Sequence, residues 1–118
     1  VSQPDRPVVV IVDDDAGTVM LLQLMLDDCR TIPVTSRFAD LIHSQMWHGV
    51  DVAIVDLKLG QGISGEEILS FLGTYHPQIR RVALSAITDR LPSDEPLAHA
   101  LLAKPFSLEA LRAALART

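Results

Sequence analysis

Cysteine is almost missing from this chain: Cys29 is the only one among 118 residues. Without a second thiol there is no disulfide framework and no thiolate metal cluster. A reducing, cytoplasmic compartment is the expectation that follows. Long apolar runs are missing as well. None approaches the ~20 residues that a bilayer-spanning helix needs, so no membrane segment is expected, and the first residues carry no signal-peptide pattern. Basic charge is in short supply. Ten Lys and Arg stand against fifteen Asp and Glu, a formal net charge of −5. That balance argues against a nucleic-acid or anionic-membrane partner. No internal repeat and no low-complexity run is visible.

What is present is a one-domain length and an apolar fraction of 48%, enough to bury roughly two thirds of the extended surface without staples. Residues 1–7, with two prolines and no periodicity, read as a flexible leader to a domain over residues 8–118. Short apolar runs then alternate with helical patterns. Strands are expected at 8–12, 32–35, 51–56, 81–86 and 98–103. Helices are expected at 17–28, 38–47, 64–75 and from Ser107 onward. Ser64 followed by Glu67 is a capping-box start, His76-Pro77 is a stop, and Ser107 caps the last helix. The third of these helices is expected to bury Ile68, Leu69, Leu72 and Tyr75. Strands that are apolar on both faces, each followed by a helix, imply a parallel sheet covered on both sides. The expected fold is α/β and flavodoxin-like, a doubly wound five-stranded sheet in the order 2-1-3-4-5.

The first strand runs straight into Asp13, Asp14 and Asp15. Like charges ~4 Å apart repel by about 4 kcal/mol at an effective dielectric near 20, so three acids at a strand end call for a cation. In doubly wound sheets, ligands sit beyond the carboxyl ends of the strands. That edge also collects Asp56, Ser85 and Lys104. Two clustered acids with Asp56 make a hard-oxygen site suited to Mg²⁺. A carboxylate can accept a phosphoryl group when a metal and a lysine neutralise the developing charge. Asp15 reads as a helix cap, Asp51 as a strand-entry residue and Trp47 as a packing residue. His43, His48, His76 and His99 show no ligand spacing.

These residues resemble the receiver domain of two-component response regulators, through "IVDDD", "IVDLKLGQGISG", "LSA" and "LAKPF". The resemblance runs from about Val8 to Arg117 and is similar in detail to C-terminal receivers of hybrid sensor kinases or their stand-alone relatives. It implies that Asp56 is the phosphorylation site, with Asp13, Asp14 and the backbone carbonyl of Lys58 completing the Mg²⁺ ligands. It also implies that Ser85 is the switch hydroxyl, that Lys104 binds the phosphoryl group and that Lys104-Pro105 is cis. The implied partner is a histidine kinase or histidine phosphotransfer protein. The implied role is a phosphorelay switch that catalyses only its own phosphorylation and dephosphorylation.

Several features depart from the family pattern. Gly60 stands where the family usually has proline, and Leu101 where an aromatic is common. The segment between Ser85 and Lys104 is short and contains Pro92 and Pro96. An interior proline costs a helix ~3 kcal/mol, so the fourth helix is expected to be shortened or missing. Lys58 and Ile87 flank the expected phosphoryl pocket. The first helix is apolar nearly all round. Its inner face is expected to be Thr18, Leu21, Leu22 and Met25, which leaves Met20 and Leu24 as a contact for the phosphodonor or for a homodimer. Two alternatives remain at this level. One is a pseudo-receiver that docks partners without phosphorylation. The other is a haloacid-dehalogenase-type phosphatase, whose D-x-D motif "DDDAGT" faintly echoes but which gives Asp56 no role.

Overall fold

The computed structural model describes residues 6–60, 62–86 and 97–116. Its centre is set by β1 (Val8–Val12) and β3 (Val52–Asp56), whose runs of branched side chains favour extended backbone and are buried on both faces. With β2 (Arg30–Val34), β4 (Arg80–Ala86) and β5 (Ala100–Lys104) they form a parallel sheet in the order β2-β1-β3-β4-β5. That is the expected topology. Pro33 lies within β2, and an edge strand tolerates its missing N–H.

The sheet is covered on both sides. α1 (Ala16–Met25) and α3 (Leu108–Leu115) pack against Val9, Ile11, Ile54, Val82 and Leu102. On the other side, α2 (Gly65–Tyr75) and a 3-10 turn at Phe38–His43 cover Val10, Val12, Ala53, Val55 and Ala83. Arg112 ties α3 to the end of α1, with bonds to Asp28 at 3.0 Å and to the Met25 carbonyl at 3.3 Å. Asp15, Ser64 and Ser107 cap the three helices through their side chains, and Ser64 with Glu67 completes a capping box.

Four local expectations need correction. The helix expected at 38–47 is only the 3-10 turn over Phe38–His43. Ser44 is extended, its hydroxyl accepts the Met46 N–H, and buried Trp47 donates its indole N–H to the Leu41 carbonyl. These side-chain bonds compete with continuation of the helix. Second, α1 ends at Met25, and it buries Val19 and Leu22, with Leu26 buried just past its end, while leaving Leu21 44% exposed. Third, Tyr75 is 69% exposed, stacked beside Phe71 at the last turn of α2. Fourth, β5 begins two residues late. Leu97 and His99 bend into it: the Arg81 guanidinium donates to the Leu97 carbonyl at 3.1 Å, the Arg81 backbone N–H donates to His99 Nδ1 at 2.9 Å, and the His99 N–H donates to the Arg81 carbonyl at 2.8 Å. The expectations about the leader's first five residues, the fourth helix with Pro92 and Pro96, and Ile87 lie outside the described residues.

Candidate phosphoryl and metal site

The parallel register delivers the functional groups to one edge. Asp13 follows β1, Asp56 ends β3, Ser85 lies in β4 and Lys104 ends β5. Asp13, Asp56 and Ser85 are buried, whereas Asp14 points into solvent. One carboxylate oxygen from each of Asp13, Asp14 and Asp56 lies within 4.8 Å of the other two. The Lys104 ammonium bridges two of them, at 2.7 Å from Asp56 Oδ2 and 3.1 Å from Asp13 Oδ2. The Lys104-Pro105 peptide is cis.

Backbone N–H groups orient the acids. Asp13 Oδ1 accepts from Asp15 at 2.9 Å, and Asp56 Oδ1 accepts from Lys58 at 2.8 Å. Asp14 Oδ2 accepts from Gly60 at 3.2 Å. Asp15 receives the Gly17 N–H and the Thr18 hydroxyl. Those bonds, the Thr18 hydroxyl first, hold its carboxyl below the ordinary range. The Ser85 hydroxyl donates to the Ala86 carbonyl at 2.8 Å. Among the described residues, every buried side-chain nitrogen or oxygen has a hydrogen-bond partner.

The electrostatics follow from burial. Loss of water pushes the Asp13 carboxyl above its usual range, and the nearby Asp56 charge acts in the same direction. The Asp15 N–H and Lys104 offset only part of this. Burial alone would lower the Lys104 ammonium, but its bonds to Asp56 and Asp13 outweigh that loss and hold it above its usual value. Lys104 is therefore a fixed cation. The three carboxylates of the cluster carry more negative charge than the Lys104 ammonium alone offsets. Its donors are hard oxygens, and Asp14 opens it to solvent. That set fits a small divalent cation such as Mg²⁺, which takes few carboxylates and keeps waters.

Two features of the site were not read from the sequence as structural. One is the Gly60 N–H on Asp14, a contact between residues 46 apart in the chain. The other is Gly65, the first residue of α2, where a Cβ would stand 1.9 Å from the Asp56 carbonyl oxygen. Glycine lets the helix start against the backbone of Asp56 itself. A glycine directly after a strong N-cap serine, where helix propensity disfavours it, is the signal that would have revealed this close approach.

The family model of the response regulator receiver domain matches residues 9–116. No curated protein matches the chain in sequence. Among solved structures, a response regulator receiver domain protein from Clostridium thermocellum superposes with a TM-score of 0.80 at 21% identity, over 92% of this chain and 90% of that one. A receiver domain protein from Bacillus halodurans gives 0.76 at 24% identity, over 94% and 95%. The response regulator DrrB of Thermotoga maritima, an OmpR/PhoB homologue, gives 0.72 at 22% identity, and 92% of this chain covers 50% of it. At these identities the structures speak for the fold, and nothing in them favours the phosphatase alternative. The family match extends over nearly the whole chain, and this protein belongs to the response regulator receiver domains of two-component signalling.

Proposed function

We propose that this receiver takes a phosphoryl group onto Asp56 from a partner phosphohistidine, with Mg²⁺ held by Asp13, Asp14, Asp56 and the backbone carbonyl of Lys58. The observation that carries this reading is the bridge of Lys104 between Asp13 and Asp56, with the Asp14 carboxylate beside them. Receivers work as signalling modules with histidine kinases or phosphotransfer proteins, and the cytoplasm is where this one would meet them.

In the transfer, a bond forms between an Asp56 carboxylate oxygen and phosphorus. The bond from phosphorus to the partner's imidazole nitrogen breaks, and the imidazole leaves with the electron pair. Lys58 N–H and Lys104 fix the Asp56 carboxylate before attack, so little orientation remains to be lost. Mg²⁺, when bound, neutralises charge on the phosphoryl oxygens. Lys104 offers them a second cation, and the Ser85 hydroxyl can turn from the Ala86 carbonyl to meet one of them. Met20, Leu21 and Leu24 expose an apolar face on α1, the helix that starts beside Asp14. A phosphodonor docked along that face reaches Asp56.

Intact mass after treatment with acetyl phosphate tests the proposal. The wild type should gain one phosphoryl group with Mg²⁺ and little in EDTA, and Asp56→Asn should gain none. Labelling of Asp56→Asn equal to wild type, or no labelling of either, contradicts it.

A further inference from the structure

Each carboxylate of the cluster accepts one backbone N–H, but the three bonds are of two kinds. Asp13 and Asp56 are served from within their own loops, by the residue two positions on. Asp14 is served by Gly60, from the loop between β3 and α2, across the mouth of the site. Asp14 also differs from the other two in being exposed and outside the reach of the Lys104 bridge. An exposed aspartate samples several rotamers, and a ligand that must be ordered on binding weakens the binding. The Gly60 bond removes much of that freedom in advance. It engages Oδ2.

We propose that the Gly60 N–H is a positioning group that holds Asp14 ready for a divalent cation and straps the β3–α2 loop to the cation site. The inference rests on the metal reading above. Glycine suits this position, because a Cβ would stand 3.2 Å from Asp14 Oδ2, and proline would have no N–H to give. The bond is charge-assisted, so it is stronger than a neutral one of the same length. Coupling is reciprocal: if the strap favours cation binding, the cation steadies the loop that leads from Asp56 into α2.

Calorimetric titration with Mg²⁺ on the wild type, Gly60→Pro and Gly60→Ala is the test. Proline removes the N–H, and alanine keeps it with a tighter fit. The expected result is a Kd about 3- to 10-fold weaker for Gly60→Pro, the scale of one lost hydrogen bond, with Gly60→Ala tighter than Gly60→Pro. Equal Kd values for the proline variant and the wild type, or for the two variants, overturn the positioning role. A wild type that binds no Mg²⁺ overturns the metal reading, and this inference with it. Should Gly60→Pro fail to fold, amide exchange decides. The Gly60 N–H should be protected in the wild type and exposed in Asp14→Ala, and equal exchange rates in the two proteins overturn the strap.

Discussion

Replacing Lys104 by methionine keeps most of the side-chain volume and removes the ammonium. The Asp13 side chain is then fully buried, and that of Asp56 is 10% exposed, with no cation between them. Breaking a buried pair by removing one partner costs about 3 kcal/mol at the lower end of the usual range. The lower end applies because the Lys104 side chain is 27% exposed and Asp14 opens the site to water. For a domain of this size the loss corresponds to a fall in Tm of about 10 °C at neutral pH. The pH dependence has a definite sign. The Asp13 carboxyl already titrates above its unfolded value, so Asp13 favours the folded state when protonated and loses that contribution as pH rises through its folded value. Without Lys104 the upward shift grows. The deficit of Lys104→Met should therefore be largest near neutrality and shrink as pH falls through the raised carboxylate range. Mg²⁺ at 100 times Kd should raise the variant's own stability by about 2.7 kcal/mol. Thermal unfolding followed by circular dichroism at several pH values, with and without Mg²⁺, measures all three. A deficit below 2 °C, or one that widens on acidification, would show that Lys104 does not offset the buried charge of Asp13 and Asp56.

Gly65→Ala should cost about 2–3 kcal/mol in urea unfolding, because its Cβ would meet the Asp56 backbone and overpacking against fixed atoms costs that much. Gly17→Ala, whose Cβ would stand at an ordinary 3.4 Å from Asp15 Oδ1, should be neutral or mildly stabilising through helix propensity. Trp47→Phe leaves the Leu41 carbonyl without the indole N–H and should cost about 1–3 kcal/mol, read by the same unfolding curves. Met20→Glu combined with Leu24→Glu should leave stability within about 0.5 kcal/mol, as for other surface changes. The same pair should slow transfer from a phosphorylated partner, timed by rapid quench, and unchanged rates would leave α1 as plain surface.

The strand order and the gathering of Asp13, Asp14, Asp56 and Lys104 were legible because both depend on coarse signals. Buried strands are apolar throughout, and parallel topology puts every strand's carboxyl end on one edge. Finer placement failed where the pattern was degenerate. α1 is apolar almost all round, so periodicity could not choose between Leu21 and Val19 for the core. The turn at Phe38–His43 carries enough apolar residues for a helix, yet the Ser44 hydroxyl and the Trp47 indole bind backbone groups that a longer helix would use. Tyr75 sits one turn past Phe71 at helical spacing, but α2 has reached the rim of the sheet by then. The Gly60 and Gly65 contacts depend on the distance between two loops and between a helix start and a strand end. Such distances are set by the folded chain and not by local sequence.

The acyl phosphate itself offers the most direct test of the central assignment. Borohydride reduces an aspartyl phosphate to homoserine, which marks the residue permanently. The protein is treated with acetyl phosphate and Mg²⁺, quenched with borohydride, digested and sequenced by tandem mass spectrometry. Homoserine at position 56, absent when EDTA replaces Mg²⁺, is the expected result. Homoserine at position 13 or 14, or at no position, contradicts it.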